Sequence, residues 1–337
     1  MASPRGNPMT ELFDVAAIGN AIVDVIAPAD EAFIAGEGLA RGAMTLVDEA
    51  RGRELYARMA PGVETSGGSA ANTVAGLASL GARTAFLGKV ANDQLGEVFA
   101  HDLRAIGAHF PSLPLHDGPA TARCLVNVTP DGQRTMCTFL GASVEFTDDD
   151  IDPAVIEAAK IVYLEGYLFD AEPARRAFAK AAGLARAAGR MIALTLSDGF
   201  VVERHRAALL GFIGSQVDLL FANEAEALAL FETDDLAVAL DGLRSRTRLA
   251  AVTRSEQGSL LLGDGEVVSI PAVPMEKVVD TTGAGDQYAA GVMYGLANGR
   301  SLEVCGRLGA LAAAEVISHY GPRPQVSLRE LADREGL

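Results

Sequence analysis

Short apolar runs alternate along the chain with longer stretches in which Ala and Leu recur at helical spacing. FDVAAIG (13–19) reads as a buried strand, and TAFLGKV (84–90), IVYLEG (161–166), MIALTLS (191–197), VDLLFAN (217–223) and LAAVTRS (249–255) repeat the pattern. Short apolar runs closed by Gly, Asn or Ser suit strands buried on both faces. Between them the periodicity predicts helices over 70–80, 94–106, 173–188, 203–213, 224–231, 286–298 and 302–317. Regular strand–helix alternation predicts an α/β fold, a mostly parallel sheet with helices on both faces. Two regions break the rhythm. ARCLVNVTPDGQRTMCTFL (122–140) reads as two strands around the turn Pro130-Asp131-Gly132, and 24–66 is punctuated by Gly and Ala. Together they predict a small β lid over a main domain of 13–23, 67–121 and 141–330. A second hairpin is predicted around Gly263-Asp264-Gly265.

Composition narrows the function. Of 337 residues, 49% are apolar and 21% charged, so the chain is globular and long enough to bury a core without staples. Basic residues number 28 against 44 acidic, a net charge of -16. That field repels phosphate backbones and anionic lipid, which argues against nucleic-acid or membrane partners. A polyphosphate substrate would then need local neutralisation by a metal and a few placed donors. The leader MASPRGNPMTELFD has no apolar core, so it reads as a frayed terminus rather than a signal peptide, with Met9 as an alternative start. No apolar run reaches the ~18 residues of a membrane span. Cys124, Cys137 and Cys305 are an odd set without C-x-x-C, which fits free thiols in a reducing cytoplasm. His101, His109, His116, His205 and His319 fall in no motif.

Three glycine-bearing constellations carry chemistry. Asp280-Thr281-Thr282-Gly283-Ala284-Gly285-Asp286 immediately precedes a predicted helix. Its glycines allow a tight turn that presents unpaired amides at the helix start, a ready anion site. Asp286, at or near the N-cap, is either a plain cap or a base set beside donors for a phosphoryl group. Gly67-Gly68-Ser69-Ala70-Ala71-Asn72 opens an Ala-rich helix and is either a loop with a cap or a place where a ligand hydroxyl meets the backbone. Gly19-Asn20 and Asp24 follow the first strand, at the carboxyl end where ligands of open α/β sheets bind. Polar groups there would be awkward to bury unpaired, which favours hydroxyl recognition.

With these motifs the chain resembles the ribokinase/PfkB family of carbohydrate and nucleoside kinases over about residues 13–325. DTTGAGD (280–286) is similar to the family's C-terminal signature and GGSAANTVAGLASLGARTAFLGKVANDQLG (67–96) to its N-terminal one. The resemblance implies a ribokinase-like three-layer sandwich with a β-sheet lid, ATP and Mg²⁺ as cofactors, and Asp286 as catalytic base. It implies an anion hole for the γ-phosphate at Gly283, Ala284 and Gly285. Asn223 and Glu226 match the family's N-x-x-E, in which the Glu helps hold Mg²⁺ largely through water. Bottom-up, the same residues read equally as an Asn cap with an acidic first turn. Thr253 and Gly258 sit where the family carries T-x-G-x-x-G, with Ser255 replacing the middle glycine. A monovalent cation such as K⁺ near Asp280 and the 318–324 loop is a further option of the family.

For the acceptor, Gly19 to Asp24 is similar to the G-N-x-x-x-D of adenosine kinases, where Asn20 and Asp24 would reach ribose hydroxyls, with Gly67, Gly68 and Asn72 beside them. Met44, Leu46, Met136, Leu140 and Tyr167 fall where those enzymes enclose the base, and Arg134 matches their lid arginine, able to close over the phosphates. Adenosine or a related nucleoside is the first expectation, with a ribokinase- or fructokinase-like sugar acceptor as the alternative. A non-catalytic nucleoside or ATP sensor is disfavoured because both glycines and Asp286 are present. A nicotinamide enzyme is disfavoured because Gly19-Asn20-Ala21 is not G-x-G-x-x-G. Monomer and homodimer both remain open.

Overall fold

The computed structural model describes residues 13–263 and 265–337, so the expected leader, the Met9 start and the turn residue Asp264 lie outside the described residues. In chain order the first strands are β1 (Phe13–Ile18), β2 (Ile22–Pro28), β3 (Met44–Leu46), β4 (Val63–Gly67) and β5 (Thr84–Leu87). Next come β6 (Ala122–Val128), β7 (Arg134–Phe139), β8 (Ala159–Glu165) and β9 (Met191–Thr195). The last are β10 (Leu219–Asn223), β11 (Leu249–Thr253), β12 (Ser259–Gly263) and β13 (Glu266–Ile270). The helices begin with α1 (Glu31–Gly36), α2 (Glu49–Arg58), α3 (Ser69–Ser79), α4 (Gln94–Ala105), α5 (Pro153–Ala158) and α6 (Glu172–Ala187). They continue with α7 (Gly199–Gln216), α8 (Glu224–Phe231), α9 (Leu236–Arg244), α10 (Ala284–Ala297), α11 (Leu302–Ile317) and α12 (Leu328–Arg334).

Eight strands form the main sheet in the order β13-β12-β11-β10-β9-β8-β1-β5, parallel from β11 to β5 and antiparallel at β12 and β13. Alternate residues feed two cores, as a doubly covered sheet requires. Ala16 and Ile18 of β1 pack with Phe178 of α6 and Leu209 of α7, while Val15 and Ala17 pack with Val74 of α3 and Met293 of α10. At the carboxyl end of β1 the chain leaves this sheet and enters a second one of five strands, β3-β7-β6-β2-β4. The switch at 19–21 therefore puts Asn20 in the junction and Asp24 in the small sheet.

The small sheet has an inner and an outer face. Val25, Leu125 and Cys137, aligned across β2, β6 and β7, pack under Leu55 of α2. The opposite face therefore carries two cross-strand rows, Asp24–Cys124–Thr138–Leu46 and Ile26–Val126–Met136–Met44. Helices α1, α2, α5, α9 and α12 were not expected, being short and mostly held by a local cap such as Asp30, Asp48 or Asp152 rather than by a long apolar stripe. All three cysteines are buried and free. Among the described residues, no helix is long and apolar enough to cross a membrane.

Candidate active site

A cavity of about 410 Å³ opens at the carboxyl ends of the parallel strands, where β9, β10 and β11 face the start of α10. Asp286, Gly283, Gly285, Ala284, Asn223, Glu226, Thr253 and Tyr167 all line it. Gly283 adopts φ +79°, ψ -1° and is the N-cap of α10, so Asp286 lies in the first turn rather than at the cap itself. One expected donor is redirected. The Ala284 amide donates to the Thr281 carbonyl at 3.2 Å, because the left-handed Gly283 folds the chain back on itself. The amides of Gly283, Gly285 and Asp286 have no acceptor among the described residues and stand free at the positive end of the helix.

Asp286 accepts from the Ser69 hydroxyl at 2.6 Å and from Asn72 Nδ2 at 3.2 Å. No cation pairs with it among the described residues. It keeps an edge on the cavity, yet burial pushes its pKa up to about 6, opposed by the Ser69 and Asn72 hydrogen bonds. A carboxylate at that value is ionised at neutral pH and still basic enough to accept a proton from an alcohol as its bond to phosphorus forms.

On the lid side, Asp24 lies against Gly67, where a Cβ would stand 2.3 Å from its carboxylate. Gly68, at φ +92°, passes so close to the chain that a Cβ would meet the Asn20 carbonyl at 2.5 Å. These contacts explain the paired glycines without invoking mobility. Burial lifts Asp24 to about 6; Arg323 and then Arg134 hold it down, and Asp286 adds to the rise. Asn20 is 3% exposed and turns its amide inward, Nδ2 donating to Glu165 at 2.7 Å while its Oδ1 finds no partner. Leu46 and Met136 share the inner lid face with Asp24, whereas Leu140 lies past the end of β7 and Tyr167 lines the cavity on the main-sheet side.

Three residues of the site escaped the sequence reading. Glu165 ends β8, is 1% exposed and accepts from Asn20 and from the Ala70 amide at 2.9 Å, so it ties the β1 exit to the start of α3; burial raises it to about 7. An acidic residue closing the apolar run IVYLE at a strand's carboxyl end is a signal that could have found it. Ser69, whose hydroxyl donates to Asp286, stands out in the sequence only as part of the 67–72 motif. Arg323, beside Asn72 with Nε 3.4 Å from Oδ1, gave no signal in the sequence.

On the far side of the cavity, Asn223 and Glu226 form a reciprocal capping box on α8, which is the bland reading of N-x-x-E. Yet Glu226 has no cationic partner among the described residues, and burial pushes it up to about 7. A carboxylate facing a cavity without a counter-charge has the right donor chemistry for a hydrated divalent cation. Thr253 lines the cavity, but Gly258 serves packing: at φ +81° a Cβ would lie 2.0 Å from the Ile270 carbonyl.

Arg134 reaches from the lid to the main domain. Its Nη2 lies 2.5 Å from Asp280 Oδ2, both side chains are nearly buried, and its guanidinium lies over Tyr320. Asp280 also accepts from the Gly321 amide, the Thr282 amide and the Thr282 hydroxyl. Its carboxylate is thus fully engaged and does not fit the expected monovalent-cation role, because an internal guanidinium already supplies the positive charge.

A doubly wound sheet, a smaller second sheet and a carboxylate beside free helix amides fit a phosphotransferase acting on an alcohol group. The chain belongs to the pfkB family carbohydrate kinases, whose profile matches residues 14–328. It is similar to the solved adenosine kinase of Sinorhizobium meliloti, 52% identical with a TM-score of 0.89 over 96% of this chain and 99% of that one. A probable sugar kinase protein from Rhizobium etli is 47% identical, with a TM-score of 0.90 over 97% and 99%. The adenosine kinase of Saccharomyces cerevisiae is 27% identical over 90% of this chain and 95% of its own.

Proposed function

We propose that the protein transfers the γ-phosphoryl group of ATP to the primary hydroxyl of a nucleoside, adenosine first, giving the monophosphate and ADP as a purine-salvage kinase does. The observation that carries the reaction is Asp286 beside the unpaired amides at the start of α10. Asp286 removes the acceptor proton as the oxygen attacks phosphorus, and the amides of Gly283, Gly285 and Asp286 receive the charge on the transferring oxygens. Mg²⁺, when bound with ATP, would be held on the Glu226 side through water and would neutralise phosphate charge that this acidic chain otherwise repels. Asn223 and Thr253 face the same space.

The acceptor reading rests on the lid. Ile26, Val126, Met136, Met44 and Leu46 make an apolar face beside Asp24. A flat base would cover that face, while a bare sugar would leave it wet. The similarity to adenosine kinases supports the same choice. A coupled assay of ADP release with ATP-Mg²⁺ against adenosine, other nucleosides, ribose and fructose tests it. Adenosine should have the highest kcat/KM, and a sugar preferred by tenfold or more would overturn the nucleoside reading.

Arg134 is proposed to exchange Asp280 for the phosphates as transfer proceeds. Arg134→Ala should lower kcat about tenfold or more and acceptor KM little. It should also lower the melting temperature, because a nearly buried Asp280 loses its partner. Adding Asp280→Asn should restore the melting temperature and leave kcat low. Recovery of both together would reduce Arg134 to a structural tie.

A further inference from the structure

Arg323 is the least explained charge near the site. It is fixed from behind: Gln287 Nε2 bridges the carbonyls of Asn72 and Pro322, at 2.9 Å each, so the residue before Arg323 is clamped to α3. Its Nε leans on Asn72 Oδ1 at 3.4 Å, and Asn72 donates through Nδ2 to the base Asp286. Its Nη2 is buried and meets no acceptor. Leaving a buried guanidinium hydrogen unpaired is costly, a penalty that a ligand oxygen would remove.

The chemistry of that ligand follows from the neighbours. Asp24 lies against Gly67 and Arg323 against Asn72, so carboxylate and guanidinium both sit at the start of α3. Arg323 is the first of two positive charges acting on Asp24, and Asp24, ahead of Asp102, the first acid acting on Arg323. An anionic acceptor would be repelled by Asp24 and by Asp286. A neutral hydroxyl satisfies both sides, giving its proton to Asp24 and receiving one at oxygen from Arg323. We propose that Arg323 is a specificity-determining residue whose free Nη2 donates to a secondary ribose hydroxyl of the acceptor, opposite Asp24. This deepens the reading of a ribose-bearing acceptor and rests on it.

The test compares wild type, Arg323→Gln and Arg323→Lys with adenosine, 2′-deoxyadenosine and 3′-deoxyadenosine, alongside ribose, 2-deoxyribose and 3-deoxyribose. Arg323→Gln should raise the KM for adenosine roughly tenfold or more with kcat within about threefold, as loss of a binding contact does. For the deoxy analogue lacking the contacted hydroxyl, the same change should cost under about threefold, so discrimination shrinks. Arg323→Lys should recover part of the loss. Equal losses for all three nucleosides, or no loss at all, overturn the proposal, with thermal melting checking that each variant folds. If Arg323→Gln does not fold, Arg323→Lys carries the same ratio. If wild type prefers ribose, the nucleoside reading falls, and ribose against 2-deoxyribose and 3-deoxyribose decides on Arg323 alone.

Discussion

Asp286→Asn should lower kcat by about a thousandfold or more while leaving the fold and ATP binding intact, because general-base transfer supplies roughly 10²–10⁴. The change is nearly isosteric. An amide oxygen can still accept from Ser69 or Asn72, which now hold the carboxylate at 2.6 and 3.2 Å. What disappears is the proton acceptor. In wild type, kcat/KM should rise as pH increases through about 6, where Asp286 becomes the free base. Asp24 titrates in the same window, so the limb belongs to the pair until the variant separates them. Stability should move the other way. A carboxylate whose folded pKa is raised disfavours the folded state once ionised, so wild type gives up stability as pH climbs through about 6. Asp286→Asn removes that cost. At pH 8 the variant should be more stable by roughly 1–3 kcal/mol, discounted for the carboxylate's cavity edge, and the gain should vanish near pH 4. An inactive protein that is also less stable at pH 8 would make Asp286 a structural tie between the first turn of α10 and α3 instead of a base.

How much of this was readable from the chain depends on the range of the interaction. The parallel sheet was legible because each of its strands is an apolar run, and the 122–140 hairpin because Pro130-Asp131-Gly132 lies between two of them. Strands β2, β3 and β4 were not placed individually, since β3 is three residues long and every side chain in it is exposed. The start of α10 was read from its glycines, but the loss of the Ala284 amide to Thr281 depends on the sign of one φ angle, which letters do not show. Nothing in the sequence places Glu165 beside Asn20, since that contact spans 145 positions. Arg323 and the Arg134–Asp280 pair are hidden for the same reason. Local motifs reveal catalytic groups held by their own loops, whereas groups that orient them come from distant segments.

Gly283 and Gly285 look interchangeable in the motif and should fail differently. At Gly283 the chain is left-handed, and a Cβ would lie 2.7 Å from the Cα, Cβ and carbonyl oxygen of Pro322. Pro322 cannot retreat, since its carbonyl is clamped by Gln287. Gly283→Ala therefore combines about 1 kcal/mol of backbone strain with a backbone clash, and the first turn of α10 must shift. Moving those amides should lower kcat roughly hundredfold or more, the scale of losing a donor that meets developing charge. The melting temperature should fall by several degrees. Gly285 has an ordinary φ, and a Cβ there meets nothing within 4 Å. Gly285→Ala should melt like wild type, and any loss should appear in the KM for ATP because the methyl has only the cavity to enter. If both variants kept wild-type kcat, the amides at the start of α10 would have no part in transfer, and phosphate charge would have to be met elsewhere.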